Sequence, residues 1–245
     1  MQITPDHIRL FPACEDVFED DISLHQQHFL PLVSVNLAFM YPGKNEWLHI
    51  VSPKEFYDGP VGEQEDYHTD YTRPDIMGFD VINGKYRFEA DWRYFGDYRS
   101  IPAGRYADDY TDIEIEYNMN EAMYQLKKAY YQQYGELYAG EFNRPGLQVE
   151  DIRRLERLRA LTPDMLKKDT VSGYLLEIQQ ERPAGIFTGL APEEFPGDWP
   201  LPHPNNGFDY IGTIDGSGFQ HTAPEEISLF YSPALKKAIV VLGNS

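Results

Sequence analysis

Residues 83–94 read Asn83-Gly84-Lys85-Tyr86-Arg87-Phe88-Glu89-Ala90-Asp91-Trp92-Arg93-Tyr94. Asn-Gly suits the two positive-φ positions of a type I′ turn, whose twist matches that of a β-hairpin. After the turn, Tyr86, Phe88, Ala90, Trp92 and Tyr94 alternate with Arg87, Glu89, Asp91 and Arg93. A period of two sends the first set to one face and the second to the other. The stretch is therefore predicted to be an antiparallel strand with a buried face and a mixed-charge face.

The same alternation recurs on both sides of this hairpin. Upstream, Val33, Val35, Leu37, Phe39 and Tyr41 predict a mostly buried strand that Pro42-Gly43 ends, and Trp47 to Val51 starts another. Ser52-Pro53-Lys54-Glu55 carries a capping signature and predicts a helix of one or two turns. Residues 58–75 read as a polar loop, and Thr4-Pro5-Asp6 predicts a short helix from Pro5 to Phe11. Downstream, Ile113, Ile115 and Tyr117 alternate with Asp112, Glu114 and Glu116, which predicts a strand with three carboxylates on one face. Gly173–Ile178, Gly185–Gly189, Phe208–Ile214, Ile227–Tyr231 and Ala238–Leu242 are further candidate strands, with a loop over 190–207.

Only the middle of the chain has helical periodicity. From Asn120 to Ala139, the residues Met123, Leu126, Tyr130, Tyr134 and Leu137 fall on one stripe at steps of three or four. Gly135 is expected to weaken this helix by about 1 kcal/mol relative to alanine. Val149 to Leu161 predicts a second helix, and Thr162-Pro163-Asp164 caps a third. The fold class is therefore α+β, mainly antiparallel sheet with a helical segment in mid-chain. The 245 residues suit a single domain, with possible sub-lobes at 1–118 and 119–245.

Composition narrows the function. Lys and Arg number 21 against 40 Asp and Glu, a formal net charge of −19. Such a chain repels nucleic acid and anionic membrane and attracts basic proteins. Cys14 is the single cysteine, so no disulfide can form within the chain and a thiolate zinc site is excluded. The N-terminus lacks a basic segment followed by an apolar one, and Leu30–Tyr41 is too short to span a membrane. The cytoplasm is the expected compartment.

Common catalytic patterns are missing. Gly212-Thr213-Ile214-Asp215-Gly216-Ser217-Gly218 lacks the lysine and the helix of a phosphate loop, and reads as a turn between strands. There is no Gly-x-Ser-x-Gly elbow. His25 and His28 would share a helical face with Asp20 or Asp21 near them, but the spacing reads as surface histidines rather than a metal site. No catalytic residue, metal or cofactor is assigned. Paired carboxylates with Trp47, Trp92, Trp199 and many tyrosines leave a carbohydrate-active hydrolase as the alternative.

Three acidic clusters stand out: Glu15–Asp21, Glu63–Asp70 and Asp108–Glu116. The first reads as a solvated face. In the third, Asp108, Asp109, Asp112, Glu114 and Glu116 interleave with Tyr106, Tyr110 and Tyr117. Carboxylates steer a basic partner, and tyrosine rings supply contact area at low entropic cost, so Tyr106 to Glu116 is the candidate partner-binding segment. A solvated sheet edge explains the same residues.

Phe208-Asp209-Tyr210-Ile211-Gly212-Thr213-Ile214-Asp215-Gly216 resembles the closing motif of the YwqG-like family, a hydrophobic strand running into an aromatic-Ile-Gly-Gln-Ile-Asp-Gly segment. Ile227-Ser228-Leu229-Phe230-Tyr231-Ser232-Pro233 resembles that family's Tyr-Leu-Phe-Tyr-x-Pro strand and turn, and Ala238–Leu242 its final strand. Thr213 stands where the family has glutamine, and Glu181–Ile186 where it has Gly-Gly-x-Pro-x-Trp. The likeness covers residues 186–245. It implies a cytoplasmic immunity protein of an effector–immunity pair, which binds a toxin domain and blocks it; together with the net charge of −19, the expected partner is a basic, nuclease-type toxin domain.

Overall fold

A computed structural model describes residues 2–55, 60–96, 107–140, 151–168, 173–181 and 207–243, with the backbone alone for 107–115 and 151–152. Among these residues the chain is α+β, with five α-helices and ten strands, every strand pair antiparallel. One sheet runs β1 (Ile8–Leu10), β2 (Phe29–Asn36), β3 (Trp47–Pro53). A second has the order β5 (Lys85–Phe88), β4 (Ile76–Ile82), β10 (Lys237–Gly243), β9 (Glu226–Ser232), β8 (Asp209–Ile214). β6 (Leu137–Tyr138) and β7 (Gly173–Tyr174) form a separate pair. The helices are α1 (Cys14–Val17), α2 (Ile22–His28), α3 (Ala107–Tyr134), α4 (Asp151–Arg159) and α5 (Pro163–Lys167).

Alternation decides which face each strand buries. Ala238, Val240 and Leu242 of β10 join Leu229, Met77, Phe79, Val33 and Ile50 in the main core. Ile239 and Val241 point the other way, onto Ile76, Phe208 and Phe230. Full burial of each such side chain is worth roughly 1.5–3 kcal/mol, so a slip of one residue in register would exchange the two sets at large cost. The five-stranded sheet takes β4 and β5 from residues 1–118 and β8, β9 and β10 from 119–245, so it crosses the suggested sub-lobe line.

The hairpin at 83–84 forms as its sequence requires: Asn83 and Gly84 sit at φ +54° and +80°. Its second strand is shorter than the alternation predicts. β5 ends at Phe88, and the Asp91 carboxylate accepts a hydrogen bond from the Arg93 amide, starting a 3-10 turn over Trp92–Tyr94. Tyr94 remains fully buried, so the inward pattern survives without the strand. β2 likewise stops at Asn36, whose side-chain oxygen accepts from the Ala38 amide and opens a 3-10 turn over Leu37–Phe39. In both places a short polar side chain offers the backbone a turn bond that competes with the ladder.

Other expectations shift in the same way. The helix expected from Pro5 is a single 3-10 turn before β1, Ser52 and Pro53 lie inside β3, and only Gly173–Tyr174 of the 173–178 stretch is strand. Residues 56–59 and 185–206 lie outside the described residues. Gly135 does not weaken a continuing helix but ends it: at φ +75° its amide bonds Tyr131 O, and the chain leaves α3 for β6.

Candidate functional site

The acid–tyrosine segment is the start of α3, not a strand. Tyr106 lies outside the described residues; Asp108, Asp109, Tyr110, Asp112 and Glu114 occupy the helix's first turns. Residues two apart on a helix face in nearly opposite directions, so positions 112, 114 and 116 share no face. Positions 108, 112 and 116, four apart, share a stripe. The Ile-x-Ile-x-Tyr alternation is only three apolar residues long, and it runs directly into a strongly helical segment. Acids near a helix N-terminus are also favoured by the helix dipole, each by about 0.3–1 kcal/mol. Glu116 is half-buried and accepts a hydrogen bond from Thr222 Oγ1 at 3.2 Å.

One residue further, α3 enters the protein. Tyr117 is buried, its hydroxyl 3.0 Å from Glu55 Oε2 and 3.0 Å from His28 Nδ1. Tyrosine has one proton, and the carboxylate takes it, so His28 Nδ1 must carry a hydrogen and donate to the Tyr117 oxygen. His28 Nε2 is then a buried acceptor with no partner. The ring stacks on Phe95 at 4.5 Å, and desolvation, helped by the nearby Lys54 charge, lowers its pKa to about 3. His25 is also buried; its Nε2 accepts from the Phe88 amide at 3.0 Å. The two histidines of α2 are therefore not surface groups. They are neutral core side chains enclosed by the nearby Phe18 and by Trp92 and Phe95 from a distant part of the sequence.

Next on the helix, Asn120 is fully buried and fully engaged. It donates to Lys54 O at 2.7 Å and accepts from the amides of His221 and Thr222 at 3.1 and 2.8 Å. This side chain ties α3 both to the end of β3 and to the segment after β8. Lys54 itself bridges to Glu121 at 2.5 Å.

Lys127 lies two turns beyond Asn120, and it too is buried. Its ammonium donates to the Ser217 carbonyl. Desolvation lowers its pKa to about 8, with the Asp215 carboxylate opposing. Lys127 lines a cavity of about 390 Å³ with Tyr138, Tyr174, Asp215, Gln220 and His221. His221 is held neutral, its pKa lowered to about 4 by desolvation and by the charges of Arg154 and Lys127. Asp215 is exposed and accepts from the Ser217 amide at 2.7 Å, starting the 3-10 turn Gly216–Gly218. The segment read from sequence as a plain turn thus forms one wall of a polar cavity. No periodicity marks it, because its residues come from α3, the β6–β7 pair and the 215–221 turn.

Glu15, Asp16, Glu19, Asp20 and Asp21 are exposed, the solvated face expected of them. Arg9 lies over the Trp47 ring at 3.8 Å, and Trp92 packs against His25, His28 and Phe88; Trp199 lies outside the described residues. Among the described residues there is no group of three or more His, Cys, Asp or Glu that could hold a metal, and no helix long and apolar enough to cross a membrane.

Compared with known proteins, the chain matches no family model, no curated protein and no solved structure. The likeness to the YwqG-like family rests on the motifs of β8, β9 and β10 alone.

Proposed function

We propose that this chain is an immunity protein that binds and occludes a basic toxin or effector domain, most simply of the nuclease type, without catalysing a reaction itself. The observation that carries this reading is the placement of Asp108, Asp109, Asp112, Glu114 and Glu116 on the first three turns of one helix, in a chain of net charge −19. A helix fixes the backbone positions of these residues, so little backbone freedom would be lost when a basic surface docks. The overall charge steers the encounter from a distance. Tyr106 and Tyr110 of the same segment would supply ring area at the contact. The resemblance of the 208–216 and 227–233 segments to YwqG-like motifs favours the same role.

The test is co-expression with the protein encoded beside this gene. The expected result is that the neighbour arrests growth alone, co-purifies one-to-one with this chain, and is harmless in its presence. Reversing the five acidic charges should weaken the complex and slow its formation. A neighbour that is harmless, or that does not bind, would overturn the reading.

A further inference from the structure

We propose that the cavity between the middle of α3, the β6–β7 pair and the 215–221 turn is a binding site for a small organic carboxylate that carries an adjacent hydrogen-bond donor, such as an α-amino or α-hydroxy acid. This site is separate from the acidic turns of α3 and does not depend on them.

Three observations converge on that chemistry. The first is charge: in a strongly acidic protein, the buried Lys127 ammonium lines the cavity beside the neutral His221, and the Arg154 charge lies near that ring. A buried ammonium against a cavity favours an anion, since the anion offsets the cost of holding the charge out of water. The second is the opposite polarity on the same wall. Gln220 is 1% exposed, its amide nitrogen donates to Thr222 O at 2.6 Å, and its Oε1 has no hydrogen-bond partner. Asp215 adds an exposed carboxylate at the rim. A buried acceptor left without a donor costs about 1–3 kcal/mol, which a ligand N–H or O–H would recover. The third is size and lining. About 390 Å³ lies in the range of small-molecule sites, and Met123, Tyr138 and Tyr174 offer apolar surface to the rest of the ligand.

The experiment is isothermal titration of the intact protein at constant ionic strength with the twenty L-amino acids and L-lactate. The best binder is then compared with its deamino acid, which lacks the donor, and with its carboxamide, which lacks the charge. The expected result is saturable one-to-one binding, with the carboxamide weaker by about tenfold or more and the deamino acid weaker by several-fold. Lys127→Met should lose about tenfold in affinity. Asp215→Asn, which keeps the oxygen that accepts from the Ser217 amide, should tighten binding of L-lactate and of the deamino acid by about two- to fivefold, because it removes a like charge from the rim, and should not tighten binding of the amino acid, whose ammonium that charge attracts. Absence of saturable binding up to about 10 mM would overturn the proposal. So would equal binding of acid and carboxamide, or an Asp215→Asn variant with unchanged affinity for L-lactate and the deamino acid.

Discussion

In its first three turns α3 carries five carboxylate positions, and the next three turns carry Tyr117, Asn120 and Lys127, all buried. The two regions belong to one continuous helix of 28 residues and differ in the residues they carry. In the first, like charges accumulate, and a helix N-terminus tolerates and even favours them. In the second, each polar side chain is matched to particular neighbours: Tyr117 to Glu55 and His28, Asn120 to Lys54, His221 and Thr222, Lys127 to Ser217. Polar residues are cheap to change where water can reach them and costly where it cannot. Stability and binding should therefore separate along this helix.

The largest effect expected concerns pH. His28 and His49 are buried and neutral when folded, with pKa values near 3 and 4 against an ordinary 6.5. An unfolded histidine takes up a proton below 6.5 and these two do not, so their contribution is intact above 6.5 and is lost as pH falls toward about 4. At about 1.4 kcal/mol per histidine per pH unit, the loss from pH 6.5 to 4.5 is roughly 5 kcal/mol. Urea denaturation at several pH values measures it. A stability that is flat over this range would show that the buried region does not exclude protons as described.

Asn120→Ala comes next. It leaves two amides and a carbonyl without their partner, and should cost about 3 kcal/mol in urea denaturation. Tyr117→Phe, which removes the bonds to Glu55 Oε2 and His28 Nδ1, should cost about 2 kcal/mol and make stability depend more steeply on pH near neutrality. Lys127→Met should move the other way. Replacing a buried ammonium with a side chain of similar length should leave stability unchanged or raise it by about 1 kcal/mol. The smallest effect belongs to the first turns: each single Asp→Asn change at 108, 109 or 112 should cost only about 0.3–1 kcal/mol. A larger cost there would blur the distinction between the two regions.

Much of the fold was legible because apolar periodicity reports burial. The Asn83-Gly84 turn, the inward sets of β9 and β10, and the stripe through Met123, Leu126 and Tyr130 all follow from it. The start of α3 was not, since three alternating apolar residues satisfy a strand as well as a helix. Nor was the character of the buried helix stripe: it includes Asn120 and Lys127, residues whose type suggests the surface. His25 and His28 show the same limit. Their burial depends in large part on Trp92 and Phe95, more than 60 residues away, and the local Phe18 and Phe29 do not by themselves mark it. The cavity at Lys127 is assembled from several separate segments, so only the folded chain brings it together.

The most direct test of the proposed function is the association rate of this chain with the protein encoded beside it, measured by stopped flow at low and moderate salt. A variant with Asp108, Asp109, Asp112, Glu114 and Glu116 reversed should associate at least about tenfold more slowly and lose most of its salt dependence, while remaining folded. An association rate and salt dependence equal to those of the natural sequence would contradict the claim that these turns receive the partner.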